Sequence, residues 1–431
     1  MTTRAEKIIW LFLAATSCQL VFLQPSVVLA PGERTNLFSG LLCFLTLTVA
    51  LIFSRRGTIK IKSPEFLISA ALVVIGVVSS LSSLTPLASS YRVFVLLASG
   101  LGGFWCARIL LNTPENQRRF QWLCLLLLGA IVLLSLAGYL LSGKIQYFFK
   151  DSHTHPLTNV IFLLSFAPLA LLSQKSRPLV LLSLILLGLS YVVLCLSERL
   201  SVVFIPIGLG ILGLLFGALR WKYLVAALIV MAIIIGLFSQ NILWFKLNKE
   251  YPYYRIENFF FSMNIAKQHP LLGIGLRSPR EQFLRDYQIK YPYMTDMTEE
   301  QFAKDVAEIV TADNQILTFL SGLGFPFTIL YGLAVLTLLG KLIRMAFRPP
   351  PGFFLPPLAL LFPLSLALAH FQLYDGLLFA QNSWFFHILL GLIPVGTAVP
   401  AVLEAPVAVA GLSYSSIAPN PEGSGTGRGR S

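Results

Sequence analysis

The sequence predicts an all-α, polytopic membrane protein, a helical bundle of about twelve transmembrane helices. Of its 431 residues, 56% are hydrophobic and only 12% are charged, a composition that excludes a soluble globular protein of this length. The apolar residues also fall into runs of about 20, the length that an α-helix needs to cross the ~30 Å core of a bilayer. Helices are the expected form because each one satisfies its own backbone hydrogen bonds in lipid.

The predicted spans are joined by short polar loops, except that a long polar segment at 248–310 separates the ninth span from the tenth. The chain therefore divides into helices one to nine (1–247), the long segment (248–310), helices ten to twelve (311–411) and a Gly/Ser/Pro-rich tail (412–431). We expect the tail to be disordered and cytoplasmic. No cleavage site follows the first apolar run, so this run is expected to remain as a helix. The predicted spans are 8–24, 36–53, 65–84, 92–111, 121–142, 157–173, 178–197, 201–219, 222–241, 312–340, 353–372 and 376–400.

The charge distribution predicts the orientation of these spans. The net charge of +13 does not indicate nucleic-acid binding here, because lysine and arginine are expected in the cytoplasmic loops of a polytopic protein. The basic residues concentrate in alternate loops, which places both termini in the cytoplasm and the 248–310 segment outside, in the periplasm of a Gram-negative cell or its equivalent. The five cysteines all lie in apolar runs, where packing is expected rather than disulfide or zinc chemistry.

The long outer segment is the first candidate for a functional region. Its apolar residues recur at helical spacing, which predicts an amphipathic helix on the membrane surface, ended by Pro270 and the Gly273/Gly275 pair. These glycines would allow the backbone to approach a ligand closely. Guanidinium groups bind phosphate oxygens with two hydrogen bonds, so the outer arginines are candidate diphosphate ligands, with lipid headgroup anchoring as the alternative. The arginines concerned are Arg255, Arg277, Arg280 and Arg285.

Two further candidates fall on the same predicted side. Arg199, in Ser197-Glu198-Arg199, interrupts a long apolar stretch at the outer boundary, where it either reaches headgroups or serves a site. Asp313-Asn314 begins the tenth span. Asp313 is either the N-cap of that helix or a general base that takes a proton from a sugar hydroxyl, and the two roles are compatible.

Histidines and tyrosines on the predicted outer side are weaker candidates. His153 and His155 form a polar loop or line the path of an acceptor, and a zinc pair is the less favoured interpretation. Tyr254 and its neighbours stack on sugars or form an interfacial aromatic belt. His370 is interpreted as loop polarity and His387 as a helix-packed residue.

These motifs carry a family resemblance. HPLLGIGL at 269–276, after an upstream arginine, and Asp313-Asn314 followed by nine residues and Gly324 resemble the bacterial O-antigen ligase and polymerase superfamily over roughly residues 185–345. Its members are polytopic inner-membrane glycosyltransferases, with a GT-C-like architecture, that use undecaprenyl-diphosphate-linked glycans. The ligase signature has histidine where this chain has Asp313, and Gly, Thr or Tyr where it has Phe327. By the same resemblance, Arg199 and Arg255 match the two functional arginines, with Arg277 as the reserve for the second.

The resemblance implies transfer of a glycan from undecaprenyl diphosphate to an acceptor hydroxyl on the periplasmic face, by an inverting reaction. The predicted outer face shows no acidic pair of the kind that holds a divalent ion, since its first loop offers only Glu33, so a metal-independent reaction without a cofactor is expected. The acceptor would be lipid A-core, as for an O-antigen ligase, or a growing polysaccharide, as for a repeat-unit polymerase. Besides these substrates only membrane lipids are expected as partners, and no nucleic acid. The resemblance and the residue patterns together predict a base, arginines for the diphosphate, and acceptor-side groups: Asp313, Arg199, Arg255, Arg277, Arg280, Asn314, Tyr254, His153 and His155. The rival class is a transporter of lipid-linked glycans.

Overall fold

The computed structural model describes residues 3–23, 27–30, 33–35, 37–54, 63–142, 154–172, 176–196, 205, 251–276, 314–348, 355–372 and 376–394. Within this part the chain is helical apart from a small hairpin, which confirms the helical membrane-protein fold class. Six of the described helices are long and apolar enough to cross a membrane. Predicted spans eight and nine lie outside the described residues, with Ile205 excepted, so the total of twelve stays a prediction.

The elements follow one another as helices with short connections. Two strands, β1 (Val27–Ala30) and β2 (Glu33–Thr35), pair antiparallel between the first two helices, an exception to the all-α prediction that fits the β-branched pair Val27-Val28. A short 3₁₀ turn, Gly376–Leu378, precedes the last helix. The helices are α1 Thr3–Phe22, α2 Leu37–Phe53, α3 Pro64–Leu81, α4 Pro86–Leu110, α5 Pro114–Ser142, α6 Thr154–Leu164, α7 Phe166–Leu171, α8 Arg177–Leu196, α9 Tyr251–Gln268, α10 Gln315–Phe347, α11 Pro357–Phe371 and α12 Ala380–Gly391.

Helix α4 lies at the centre of the bundle and packs against α2, α3 and α12. Small residues allow this close packing: a Cβ atom on Gly103 would lie only 2.5 Å from the carbonyl oxygen of Trp384. Trp384 is fully buried, and its indole N–H donates to Ser17 Oγ of α1 over 3.2 Å. The outer faces of α5 and α10, by contrast, expose large leucines such as Leu126 and Leu336, as expected of surfaces that contact lipid.

Helix α10 is broken near its beginning. Gly324 has φ of 82° and ψ of 175°, a backbone conformation that side-chain-bearing residues rarely adopt, and Pro326 follows within the same element. The break frees carbonyl groups inside an otherwise apolar environment. Non-helical backbone at membrane depth is tolerated only where protein covers it, so the freed groups require partners from another segment.

That segment is residues 269–276, which we call the inserted loop. Its backbone bonds directly to the break: Ile274 N donates to Ser321 O and Gly275 N to Gly322 O, both over 2.9 Å. Phe325 N donates to Pro270 O over 2.8 Å. The loop therefore satisfies the interrupted turn of α10 and fixes α9 against it.

Serines of α3 and α4 hold the other side of the inserted loop. Ser79 Oγ donates to Leu272 O, and Leu276 N donates to Ser89 Oγ over 3.2 Å. Positive φ values of 63° and 96° at Gly273 and Gly275 allow the backbone to enter this narrow space. The sequence predicted that these glycines admit a ligand; in the structure the groups they approach are the backbone of α10 and the serine side chains.

Candidate functional site

The structure describes few of the residues that the sequence predicted as site residues. Asp313, Arg199, Arg277, Arg280, Arg285 and His153 lie outside the described residues. The backbones of Tyr254 and Arg255 lie in α9, and that of His155 lies in α6, while their side chains are outside the described part. Whether these residues meet in one cavity therefore stays a prediction. The tail at 412–431 and most of the 248–310 segment are likewise outside the described residues.

Asn314 is the predicted residue whose side chain the structure describes. Its Oδ1 accepts hydrogen bonds from Ile316 N at 3.0 Å and Leu317 N at 3.1 Å, so Asn314 is the N-cap of α10. Its Nδ2 donates to the backbone carbonyl of Gln372 at 3.0 Å and also lies 3.3 Å from Gln372 Oε1. The asparagine thus starts α10 and ties it to the end of α11. We call this end of the bundle the Asn314 end.

The sequence offered Asp313 as the N-cap of this helix, and that prediction is wrong by one residue. The cap is Asn314, because its extended backbone (φ −155°, ψ 124°) and its carboxamide oxygen satisfy the first amides of the helix. The proposed role of Asp313 as a base is untouched by this correction.

Directly behind the cap, Gln315 connects α10 to the 3₁₀ turn. Its Oε1 accepts from Leu377 N over 2.8 Å, and its side chain is almost fully buried. The neighbouring Gly376 lies against α6, since a Cβ atom there would come within 2.7 Å of Asn159 Nδ2. The 3₁₀ turn therefore passes between the side chains of Gln315 and Asn159.

Asn159 in turn bonds to His370 of α11. His370 Nδ1 and Asn159 Oδ1 are 2.7 Å apart, and because a carboxamide oxygen only accepts, the imidazole carries its hydrogen on Nδ1. The ring of Phe162 packs edge-on against the imidazole at 5.9 Å between centroids. The interpretation of His370 as loop polarity is therefore wrong: the residue is buried in a helix, with 1% of its surface exposed.

Helices α6, α10 and α12 carry five buried, uncharged polar side chains, Asn159, Gln315, Thr318, Gln381 and Asn382, which we call the amide cluster. Seven of their polar atoms are buried without a hydrogen-bond partner: Asn159 Nδ2, Gln315 Nε2, Thr318 Oγ1, Gln381 Nε2 and Oε1, and Asn382 Nδ2 and Oδ1. Each such atom costs about 1–3 kcal/mol when left without a partner, so buried groups of this kind are normally satisfied by protein or by ordered water.

The place of Asn382 in the cluster follows from its helix. Phe386, one turn after Asn382 on the same face of α12, packs on Phe371 of α11 at 5.3 Å between ring centroids. Asn382 therefore lies on the face of α12 that packs against α11. Thr318 lies one turn after Gln315 on α10 and so extends the cluster inward along that helix.

A second buried histidine lies deeper, on α12. His387 Nδ1 donates to the carbonyl of Ser383 at 2.6 Å, so its Nε2 is left to accept from the hydroxyl of Tyr331, at 3.1 Å. Phe319 and Phe327 surround the tyrosine with ring centroids at 5.3 and 6.3 Å. The interpretation of His387 as a helix-packed residue is confirmed, and its role is to join α12 to α10.

Sequence reasoning missed a half-buried arginine near the amide cluster. Arg92 lies within α4, eight residues before Gly100, which packs against Ser383 and His387 of α12. At 1.5 Å per residue this separation is about 12 Å along the helix. It places Arg92 at the level of the 3₁₀ turn, which α4 contacts. An ionisable residue inside an apolar helix is the signal that could have identified it.

The members of the amide cluster carried the same signal. Gln381-Asn382-Ser383 interrupts the apolar run of the last helix, and Asn159 interrupts that of α6. Polar residues in membrane spans usually face the interior and find partners there.

Among the described residues no group of three or more His, Cys, Asp or Glu side chains is placed to hold a metal ion. No family model matches the sequence, and no curated protein matches it either.

Proposed function

We propose that this protein is a membrane glycosyltransferase that moves a glycan from undecaprenyl diphosphate to an acceptor hydroxyl, in the manner of an O-antigen ligase. The observation that carries the proposal is the position of Asn314, the second residue of the motif that resembles the ligase signature. It caps α10 and bonds to the end of α11 beside the amide cluster. Asp313, the proposed base, directly precedes Asn314 in the sequence.

The proposed topology has twelve spans, with the Asn314 end and the 248–310 segment on the periplasmic face of a bacterial inner membrane. The distribution of lysine and arginine in the loops supports this orientation. The turn between α3 and α4 belongs to the same end, since Leu84 N donates to Ile274 O of the inserted loop over 3.2 Å. Arg92, half-buried in α4, would add a positive charge at this level.

The proposed reaction is a single displacement. The acceptor oxygen attacks the anomeric carbon and forms the new glycosidic bond while the bond from that carbon to the diphosphate oxygen breaks. Asp313 takes the proton of the acceptor hydroxyl, and Arg199 and Arg255 stabilise the charge that grows on the diphosphate, with Arg277 and Arg280 as further ligands. Displacement from the opposite face inverts the anomeric centre. Undecaprenyl diphosphate leaves with both electrons of the broken bond.

The proposed acceptor is lipid A-core, which gives a ligase, and the alternative acceptor is another repeat unit, which gives a polymerase. Asn314, Tyr254, His153 and His155 are the proposed acceptor-side residues. The two activities differ only in which hydroxyl is presented to the anomeric carbon. A reconstituted reaction that supplies both acceptors separates them by its product, capped lipid A-core or lengthened polymer.

A transporter of lipid-linked glycans is the second candidate, and one observation favours it. Helix α10 is discontinuous at Gly324 and is completed by the inserted loop, and interrupted helices of this kind occur at the substrate sites of transporters. The two functions make different predictions in sealed proteoliposomes. A transporter moves the intact lipid-linked glycan across the bilayer, whereas a transferase leaves free undecaprenyl diphosphate and a new glycoside.

The test of the proposed function uses three variants in the reconstituted transfer assay. Arg199→Ala, Arg255→Ala and Asp313→Asn should each lower transfer by at least about 10²-fold, the lower bound for a positioned base. Expression and thermal stability of the three variants should stay at wild-type levels. Arg4→Ala, near the predicted cytoplasmic terminus, is the matched control, since it also removes a charge but should leave transfer unchanged. Transfer at the wild-type rate by both arginine variants would refute the site, and full activity of Asp313→Asn would remove it as the base.

A further inference from the structure

We propose that Gln372, at the end of α11, is a positioning residue for the proposed transfer reaction and acts through Asn314. The inference rests on the proposed function, and it adds a residue outside the motif that carries the family resemblance. It begins from the contact between the two residues. Asn314 Nδ2 lies 3.0 Å from the backbone carbonyl oxygen of Gln372 and 3.3 Å from Gln372 Oε1. The two residues are 58 positions apart in the sequence, so only the folded chain brings them together.

The carboxamide of Asn314 is fully used by protein partners. Its Oδ1 accepts from the backbone amides of Ile316 and Leu317, and its Nδ2 donates to the two oxygens of Gln372. An amide oxygen accepts two hydrogen bonds and an amide nitrogen donates two, so all four are engaged. Asn314 therefore serves the acceptor side by fixing the beginning of α10, rather than by binding a sugar hydroxyl itself.

Gln372 supplies its two oxygens to Asn314 because it ends α11. The last carbonyl groups of a helix have no amide partner within that helix, and Asn314 Nδ2 satisfies the one at Gln372. The side chain of Gln372 is itself held in place, since its Nε2 donates to Leu368 O over 3.3 Å. One asparagine thus serves two helix ends, and the contact with α11 sets where the first turn of α10 lies.

The end of α11 is a firm anchor for this contact. His370, two residues before Gln372, is buried and lies 2.7 Å from Asn159 of α6, measured from Nδ1 to Oδ1. The end of α11 is therefore fixed to α6 in the interior of the bundle. The contact between Gln372 and Asn314 extends this connection to α10.

Fixing the beginning of α10 matters for the proposed reaction because Asp313, the proposed base, directly precedes Asn314 in the sequence. Supporting residues must hold a reacting group within about 0.5 Å of its productive position. A misplacement of about 1 Å costs about 10²-fold in rate. Loss of the contact with Gln372 leaves the cap of α10 formed but lets the first turn shift relative to α11. The expected result is slower transfer at saturating acceptor, with acceptor binding unchanged.

The test measures transfer by the full chain in proteoliposomes, with a glycan on undecaprenyl diphosphate as donor and with lipid A-core and a repeat unit as acceptors in separate reactions. Asn314→Asp keeps the cap but turns a carboxylate toward both oxygens of Gln372, so kcat should fall about tenfold while KM for the acceptor stays unchanged. Gln372→Ala removes only the 3.3 Å contact and should lower kcat about threefold. Gln372→Glu keeps an oxygen that accepts from Asn314, so it should retain at least about half of the wild-type kcat.

The effects of the two positions should depend on each other. In Asn314→Asp the donor to Gln372 is lost, so adding Gln372→Ala should cause no further fall in kcat. Adding Gln372→Glu instead brings two carboxylates together and should lower kcat again. Thr48→Ala is the matched control, since Thr48 Oγ1 also makes an exposed hydrogen bond, to Phe44 O, but only within α2. It should leave kcat and KM unchanged.

All variants should stay folded at the assay temperature, because the contacts between Asn314 and Gln372 lie at the exposed surface. A wild-type kcat in Gln372→Ala would overturn the inference. Equal losses in Gln372→Ala and Gln372→Glu would also overturn it, since the acceptor oxygen would then have no effect. A raised KM with unchanged kcat in Asn314→Asp would make Asn314 a ligand of the acceptor and would count against the inference in the same way.

The same measurements separate this inference from the proposed function. Each outcome that overturns the role of Gln372 is seen with an active wild type, so it leaves the transferase standing. Absence of transfer by wild type to either acceptor would refute the proposed function, and the role of Gln372 with it.

Discussion

Replacing Asn314 by alanine should release the beginning of α10 from its cap and from α11 together. The cap bonds to Ile316 N and Leu317 N are worth about 0.5–2 kcal/mol. The bonds from Nδ2 to Gln372 lie at the exposed surface and add about 0.5–1.5 kcal/mol. The free energy of opening the first turn should therefore fall by about 1–3 kcal/mol in Asn314→Ala.

Hydrogen exchange of the Ile316 and Leu317 amides measures this local opening directly. A loss of about 1 kcal/mol raises exchange about fivefold, so Asn314→Ala should exchange at least that much faster at these amides. Asn314→Asp is the matched variant. Its carboxylate keeps the cap, favoured by the helix dipole, but loses the Nδ2 donor to Gln372.

The two variants should therefore differ in a defined way. Asn314→Asp should leave exchange at Ile316 and Leu317 near the wild-type rate while lowering the overall thermal stability slightly. Asn314→Ala should change both. Unchanged exchange in Asn314→Ala would refute the assignment of Asn314 as the N-cap. An equal rise in exchange in both variants would show that the contact with α11, rather than the cap, holds the first turn.

Two further predictions concern the interior of α10. Gly324→Ala should destabilise the protein by more than about 2 kcal/mol in a thermal unfolding measurement, because alanine is strained at φ 82° and its Cβ would meet the carbonyl of Leu271. In the control variant Gly332→Ala the new Cβ meets no atom within 4 Å, so this change should be neutral or stabilising. A neutral Gly324→Ala would contradict the break in the helix. Tyr331→Phe should lower the free energy of unfolding by about 1–3 kcal/mol, because it leaves His387 Nε2 buried without its hydrogen-bond donor. A melting temperature at the wild-type value would contradict the pairing of these two side chains.

The sequence predicted the helices well because their signal is local. A run of about 20 apolar residues predicts a membrane-spanning helix whatever surrounds it, because its length matches the bilayer core and its backbone must form hydrogen bonds within the segment. Thus α3 was expected at 65–84 and is observed at Pro64–Leu81, and α5 was expected at 121–142 and is observed at Pro114–Ser142. The early start of α5 has a local reason as well, since Pro114 and Glu115 favour the first turn of a helix.

The candidate site was predicted less completely because its signals are non-local. Asn314 was singled out from a motif, but its bond to Gln372 joins residues 58 positions apart. His370 was interpreted as loop polarity because nothing near it in the sequence reveals Asn159, which lies 211 positions away and is its partner. The glycines of the inserted loop were rightly expected to allow close approach, but the groups that approach them are the backbone of α10 at Gly273 and the side chains of Ser83 and Ser89 at Gly275.

What the sequence determined by itself is that this chain enters a membrane as helices, because hydropathy and backbone hydrogen bonding act within each segment. What only the tertiary structure decided is which polar groups meet inside the bundle: the inserted loop with the break in α10, and Asn159 and Gln315 around the 3₁₀ turn. The physical reason is that a buried polar side chain can be satisfied by any helix that passes it, and only the packing of the helices selects which one does.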